Sequence, residues 1–125
     1  MFVFALRYLV PMKIMIVDDN KKIREVIKKI ILADEYIEYA DAESAIIAYK
    51  SEKPDWILLD IKLPGIEGIE AARIIRSSYS EAQIVMVTDY SDEKHRKAAA
   101  EAGVDEFVSK ENLIELRRII SHGKG

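Results

Sequence analysis

The sequence predicts an α/β protein: one parallel β-sheet covered by helices on both faces. Three observations carry that expectation. Short apolar runs alternate with longer segments whose apolar residues recur at three-and-four spacing, and this strand-then-helix unit repeats five times. The runs at 56–59 and 84–87 are apolar without interruption, as strands buried on both faces must be. Polar residues sit just past the downstream ends of the runs: Asp18 and Asp19 after 13–17, Asp60 after 56–59, Thr88 after 84–87 and Lys110 after 106–108. In a parallel sheet those ends share one edge, where open α/β folds bind their ligands.

Each element has its own signature. The first strand covers 13–17. Asn20 is a helix N-cap residue, followed by Ile23, Val26, Ile27, Ile30 and Ile31 at helical spacing. A short, half-polar run at 36–39 reads as an edge strand. Asp41 opens a second helix carrying Ala45, Ile46, Ala48 and Tyr49, which Pro54 closes. After the third strand and the Pro64-Gly65 turn, a helix spans about 67–77 with Ile69, Ala72 and Ile75. Ser91 or Asp92 caps a fourth helix through Ala102, and Gly103 ends it. The last helix runs over about 111–121 with Leu113, Leu116 and Ile120 on one face. Residues 12–121 form the domain, and 122–125 a flexible tail.

At 125 residues the chain is one domain with a real core. The net charge of −3 argues against direct nucleic-acid binding, which depends on phosphate neutralisation. With no cysteine there is no disulfide, thiolate metal site or thiol nucleophile, in keeping with a cytoplasmic location. Residues 1–11 are apolar except for Arg7, too short to span a bilayer, and lack the features of a secretory signal. They read as a non-essential N-terminal extension, with an added edge strand or a dimerisation arm as the alternatives.

Three acids, a hydroxyl and an amine on one sheet edge make a site for a divalent cation and a phosphoryl group. Clustered carboxylates repel one another unless a cation sits among them, and Mg²⁺ is a hard ion that prefers oxygen ligands. Each residue alone has a plain structural explanation, such as a strand end or helix cap; the conjunction points to chemistry. Gly65 and Gly68 fit a turn and a helix start, since no dinucleotide or P-loop pattern surrounds them. His95 and His122 read as solvated surface residues. Trp56 lies about 13 Å from Asp60 at ~3.3 Å per residue and reads as packing. Lys21, Lys22, Arg24, Lys28 and Lys29 give the first helix a basic face, either solvated or suited to an acidic partner.

In these residues the chain resembles the response-regulator receiver domains of two-component signalling, the CheY-like superfamily. The match runs from Lys13 to about Ser121. It rests on the acidic pair, on Asp60 with Pro64 and Gly68 four and eight residues later, on Thr88 and on Lys110. The resemblance implies a flavodoxin-like fold with strand order 2-1-3-4-5. It also implies that Asp60 is the phosphoacceptor, taking a phosphoryl group from a sensor histidine kinase or histidine phosphotransfer protein. Asp18, Asp19, Asp60 and the Lys62 backbone carbonyl would hold Mg²⁺. Thr88 and Lys110 would bind the phosphoryl oxygens, and Phe107 would be the switch aromatic. Lys62, Asp89 and Tyr90 would tune the rate at which water reaches the acyl phosphate. The expected function is that of a stand-alone receiver that switches binding to a downstream protein target. It would be a signalling protein rather than an enzyme, without nucleic-acid binding or membrane insertion.

Two positions depart from the family pattern. Asp89 stands where a small neutral residue is usual and would repel a phosphoryl group unless it faces solvent or pairs with Lys62. Glu111 stands where proline is usual, so a trans bond is expected after Lys110, a cis bond at a non-proline residue costing about 2.5–4 kcal/mol. These departures support an alternative, a phosphorylation-independent interaction module. A phosphatase of the haloacid-dehalogenase type would need an aspartate where Lys62 stands. An FMN carrier would set an acidic loop against the cofactor's phosphate.

Overall fold

The computed structural model describes residues 12–122. Its strands are β1 (Lys13–Val17), β2 (Glu35–Tyr39), β3 (Trp56–Leu59), β4 (Ile84–Thr88) and β5 (Glu106–Ser109). They form one sheet in the order β2-β1-β3-β4-β5, and every adjacent pair is parallel. The helices are α1 (Lys21–Ile30), α2 (Ala42–Glu52), α3 (Gly68–Ser78), α4 (Glu93–Glu101) and α5 (Glu115–His122). The flavodoxin-like order 2-1-3-4-5 is thus the one observed. The expectations for residues 1–11 and for 123–125 lie outside the described residues, as does that for the His122 side chain.

Alternation along the strands divides the core in two. Met15, Val17, Ile57, Leu59, Ile84 and Met86 face α2, α3 and α4, whose contacting residues include Ala45, Ala71, Ala72, Ile75 and Ala99. Ile14, Ile16, Trp56, Leu58, Val85, Val87 and Val108 face α1 and α5 through Ile27, Leu116, Ile119 and Ile120. Trp56 is therefore packing, as expected. The alanine-rich inner faces of α2 to α4 let those helices lie close to the sheet.

The caps follow the sequence in two places and depart from it in a third. Asn20 accepts from the Lys22 and Ile23 amides, and Asp41 accepts from Ser44. Asp92 occupies the α4 N-cap position without capping, because its carboxylate turns to His95 at 2.5 Å. The last helix also starts later than its periodicity suggests. Lys110–Asn112 form a 3₁₀ turn capped by Ser109, whose Oγ accepts the Glu111 amide at 3.2 Å, and α5 begins at Glu115. It then runs one residue past the expected end, to His122. Val26, expected on the inner face of α1, is 41% exposed: one residue around the helix from the buried Ile27, it turns away from the sheet. No described peptide bond is cis, so the bond after Lys110 is trans. No described helix is long and apolar enough to cross a membrane.

Candidate functional site

The strand ladders set the site. β1 and β3 are in register with Val17 opposite Leu59, so Asp18 and Asp60 leave the sheet side by side. Backbone bonds hold both at that edge: the Asp60 amide donates to the Val17 carbonyl and the Asp18 amide to the Tyr39 carbonyl, each at 3.0 Å. Leu59 pairs with Met86, which brings the end of β4 alongside, and Thr88 pairs with Ser109, immediately before Lys110. Four strand ends thus present the expected residues on one edge.

Asp18 and Asp60 are buried, at 2% and 5% exposure, while Asp19 is exposed. One carboxylate oxygen from each of the three lies within 4.8 Å of the others. The Lys110 ammonium bridges Asp18 Oδ2 and Asp60 Oδ2 at 2.8 Å each. The remaining oxygens are oriented by backbone donors: the Ile61 amide reaches Asp60 Oδ1 at 2.7 Å, and the Asn20 amide reaches Asp18 Oδ1 at 2.8 Å. Burial pushes the Asp18 carboxyl above its ordinary range, and the Asp60 charge adds to that push against the bonds from Lys110 and Asn20. Burial works against the Lys110 charge, yet the bonds to Asp18 and Asp60 outweigh it and hold that ammonium above its usual pKa.

One ammonium faces three carboxylates, so the pocket carries surplus negative charge among hard oxygen donors. That donor set fits a small divalent cation such as Mg²⁺. Thr88 is fully buried, and its Oγ1 accepts the Tyr90 amide at 3.2 Å. The hydroxyl proton is left to donate elsewhere. Phe107 is half-buried against the α2–α4 core, with the Arg96 guanidinium 4.6 Å from its ring centroid.

The three residues expected to tune the site are exposed. The Lys62 ammonium pairs with Glu67 at 3.0 Å and lies 5.6 Å from the Tyr90 ring centroid. Asp89 is exposed. The alternative in which Asp89 pairs with Lys62 is therefore not the one observed, because Glu67 takes the Lys62 ammonium.

Two positioning residues were not legible as such in the sequence. Gly68 reads as a helix start, but a Cβ there would lie 1.8 Å from the Asp60 carbonyl oxygen. Its amide donates to the Ile61 carbonyl at 2.7 Å, so the start of α3 is pressed against the backbone that carries Asp60. Arg24 reads as part of a basic face, but its Nη1 donates to the Asp18 carbonyl at 2.5 Å and its Nε to Glu38 at 3.0 Å. Lys28 joins Glu38 at 2.7 Å. The basic face of α1 is thereby partly neutralised by β2, leaving Lys21, Lys22 and Lys29 as its exposed cations.

A doubly wound sheet whose strand ends gather three acids, a buried threonine and a lysine defines a flavodoxin-like domain with an acidic site at the carboxyl edge of its strands. The chain belongs to the response regulator receiver domain family, whose sequence profile matches residues 14–121. It is 37% identical over 116 residues to the transcriptional regulatory protein YvrH of Bacillus subtilis (strain 168), covering 89% of this chain and 48% of that protein. It is 30% identical over 107 residues to the response regulator MprA of Mycolicibacterium vanbaalenii, covering 84% of this chain and 46% of that one. The chain thus spans about half the length of these relatives. Among solved structures it resembles a CheY-like response regulator receiver domain protein from Methanospirillum hungatei JF-1. The TM-score is 0.83 at 28% identity, over 90% of this chain and 93% of that one. A LuxR-family two-component response regulator from Aurantimonas sp. SI85-9A1 matches at TM-score 0.81 and 32% identity, over 90% and 84% of the two chains.

Proposed function

We propose that Asp60 accepts a phosphoryl group from a phosphohistidine on a sensor histidine kinase or histidine phosphotransfer protein, and that the acyl phosphate switches binding to a downstream protein. The observation that carries this reading is the bridging of Asp60 and Asp18 by Lys110, with Asp19 alongside. One Asp60 oxygen attacks phosphorus in line, the phosphorus–nitrogen bond breaks, and its electron pair returns to the imidazole. Asp18, Asp19, Asp60 and the Lys62 carbonyl would hold Mg²⁺, which when bound offsets charge on the phosphoryl oxygens. Little covalent chemistry is asked of the protein in such transfers; alignment and cationic stabilisation dominate. The Ile61 amide orients the Asp60 carboxylate. Lys110 follows the transferred group as a compact point charge.

The product brings close to two negative charges into the pocket. The free Thr88 hydroxyl proton donates to one of its oxygens, and Thr88 moves toward it. Phe107, across the ladder from Met86, turns inward into the space released. The surface made by α4, β5 and α5 changes with it and engages the downstream protein. This reading needs neither nucleic-acid contact by this domain nor membrane insertion, and it places the protein in the cytoplasm. It applies equally to a free receiver and to the receiver part of a longer regulator. Neither Asp89, which is exposed, nor Glu111, in its capped 3₁₀ turn, favours the phosphorylation-independent alternative.

The test is incubation with acetyl phosphate in Mg²⁺ or in chelator, read by intact mass for the wild type and Asp60→Asn. One phosphoryl group is expected, on the wild type in Mg²⁺ alone. Equal labelling of the variant refutes the assignment.

A further inference from the structure

A cavity of about 350 Å³ lies at the opposite end of the sheet from Asp60. Asp55 and Gln83, directly before β3 and β4, form its floor. The end of α2 supplies Tyr49, Lys50 and Lys53, and Tyr79 follows α3. Its volume falls within the range of about 300–1,000 Å³ usual for small-molecule clefts. The Tyr49 and Tyr79 rings meet with centroids 4.7 Å apart and planes tilted by 38°, giving an aromatic wall next to the buried Pro54.

The polar groups around that wall are unevenly used. Tyr49 is 7% exposed, yet among the described residues no hydrogen bond reaches its hydroxyl. The ring is buried and the hydroxyl oxygen is open to water. Burial raises its pKa, so it stays a neutral donor. The Lys50 and Lys53 ammoniums form no ion pair among the described residues. The nearby acids are engaged: Asp55 Oδ2 accepts the Lys13 amide at 2.7 Å, and Glu81 meets the Ser80 hydroxyl at 3.4 Å. Even Gln83 is committed, donating to the Asp55 carbonyl at 2.7 Å. Lys53 also holds a left-handed backbone, φ 48°, where glycine would be the unstrained choice. What is left for a ligand is an aromatic wall, one water-accessible hydroxyl and two free cations.

We propose that this cavity binds a small planar aromatic carboxylate, its ring against Tyr49 and Tyr79 and its carboxylate toward Lys50 and Lys53. The site is independent of phosphoryl transfer at Asp60. Naphthoate and its neutral counterpart naphthamide are the probes, titrated into the isotope-labelled full chain and followed by amide NMR. Naphthoate is expected to move the amides of Lys50, Lys53, Asp55 and Gln83 saturably while those of Asp60 and Lys110 stay in place. It should bind about fivefold more tightly than naphthamide, the range a pair of exposed charges supplies. Lys50→Gln with Lys53→Gln should abolish that preference. Tyr49→Phe keeps the ring and should weaken both probes, its folding checked by thermal melting. Equal affinity for the two probes overturns the proposal, as do shifts that map elsewhere or fail to saturate.

Discussion

Lys110→Met separates electrostatic compensation in the acidic pocket from simple packing. The methionine keeps most of the stem and removes the one ammonium between Asp18 and Asp60. Each 2.8 Å contact is worth about 6 kcal/mol of attraction at an effective dielectric of about 20, before the cost of taking the charges out of water. Most of that is offset by desolvation in the wild type. The variant keeps the desolvated carboxylates without the attraction, and breaking such a pair costs about 3–5 kcal/mol. Urea denaturation in chelator should show that loss. Titrating Mg²⁺ should then restore more stability to the variant than to the wild type, since the cation replaces compensation that the wild type already has. The variant should also gain stability as pH falls from neutral toward the upper edge of the ordinary carboxylate range, because burial holds the Asp18 carboxyl above its unfolded pKa and it takes up a proton on folding. A loss of the same size in chelator, in Mg²⁺ and across that pH range would refute the electrostatic account and leave packing as the cause.

Other outcomes follow from single contacts. Gly68→Ala forces a Cβ into the Asp60 carbonyl, so the β3–α3 connection must shift; a loss of about 1–3 kcal/mol by urea denaturation is expected, together with slower labelling by acetyl phosphate. Wild-type stability would contradict the packing. Glu38 has its pKa lowered chiefly by the bond from Lys28; burial opposes that shift, and the bond from Arg24 adds to it. Its contribution to stability is therefore present above the ordinary carboxylate range and lost as pH falls through its depressed folded-state value. The urea midpoints of Glu38→Gln and wild type should differ near pH 7 and converge near pH 3. Asp89→Ala removes an exposed like charge and should speed phosphorylation by no more than about threefold, screened by salt; a slower rate would contradict that sign.

Much of the sheet was legible because its signal is local. The uninterrupted runs at 56–59 and 84–87 announce strands buried on both faces, and Asn20 and Asp41 announce helix starts. The five site residues were legible because each sits at a strand end, and parallel pairing then brings them to one edge. Contacts between elements were not legible. Nothing near Arg24 in the chain says that it caps the Asp18 carbonyl, or that Glu38 on β2 draws Lys28 away from solvent. The closeness of Gly68 to Asp60 depends on the path of the intervening loop. The late start of α5 is a local miss: Ser109 takes the Glu111 amide and tightens the first turn, which helical periodicity alone does not register.

The central claim concerns one oxygen atom on Asp60. Borohydride reduces an acyl phosphate to an alcohol, converting the labelled aspartate to homoserine, so peptide mapping after reaction with acetyl phosphate and Mg²⁺ locates the acceptor. The account predicts homoserine at position 60 alone, dependent on Mg²⁺. Homoserine at Asp18, Asp19 or Asp89, or none at position 60 while the protein is phosphorylated elsewhere, would contradict it.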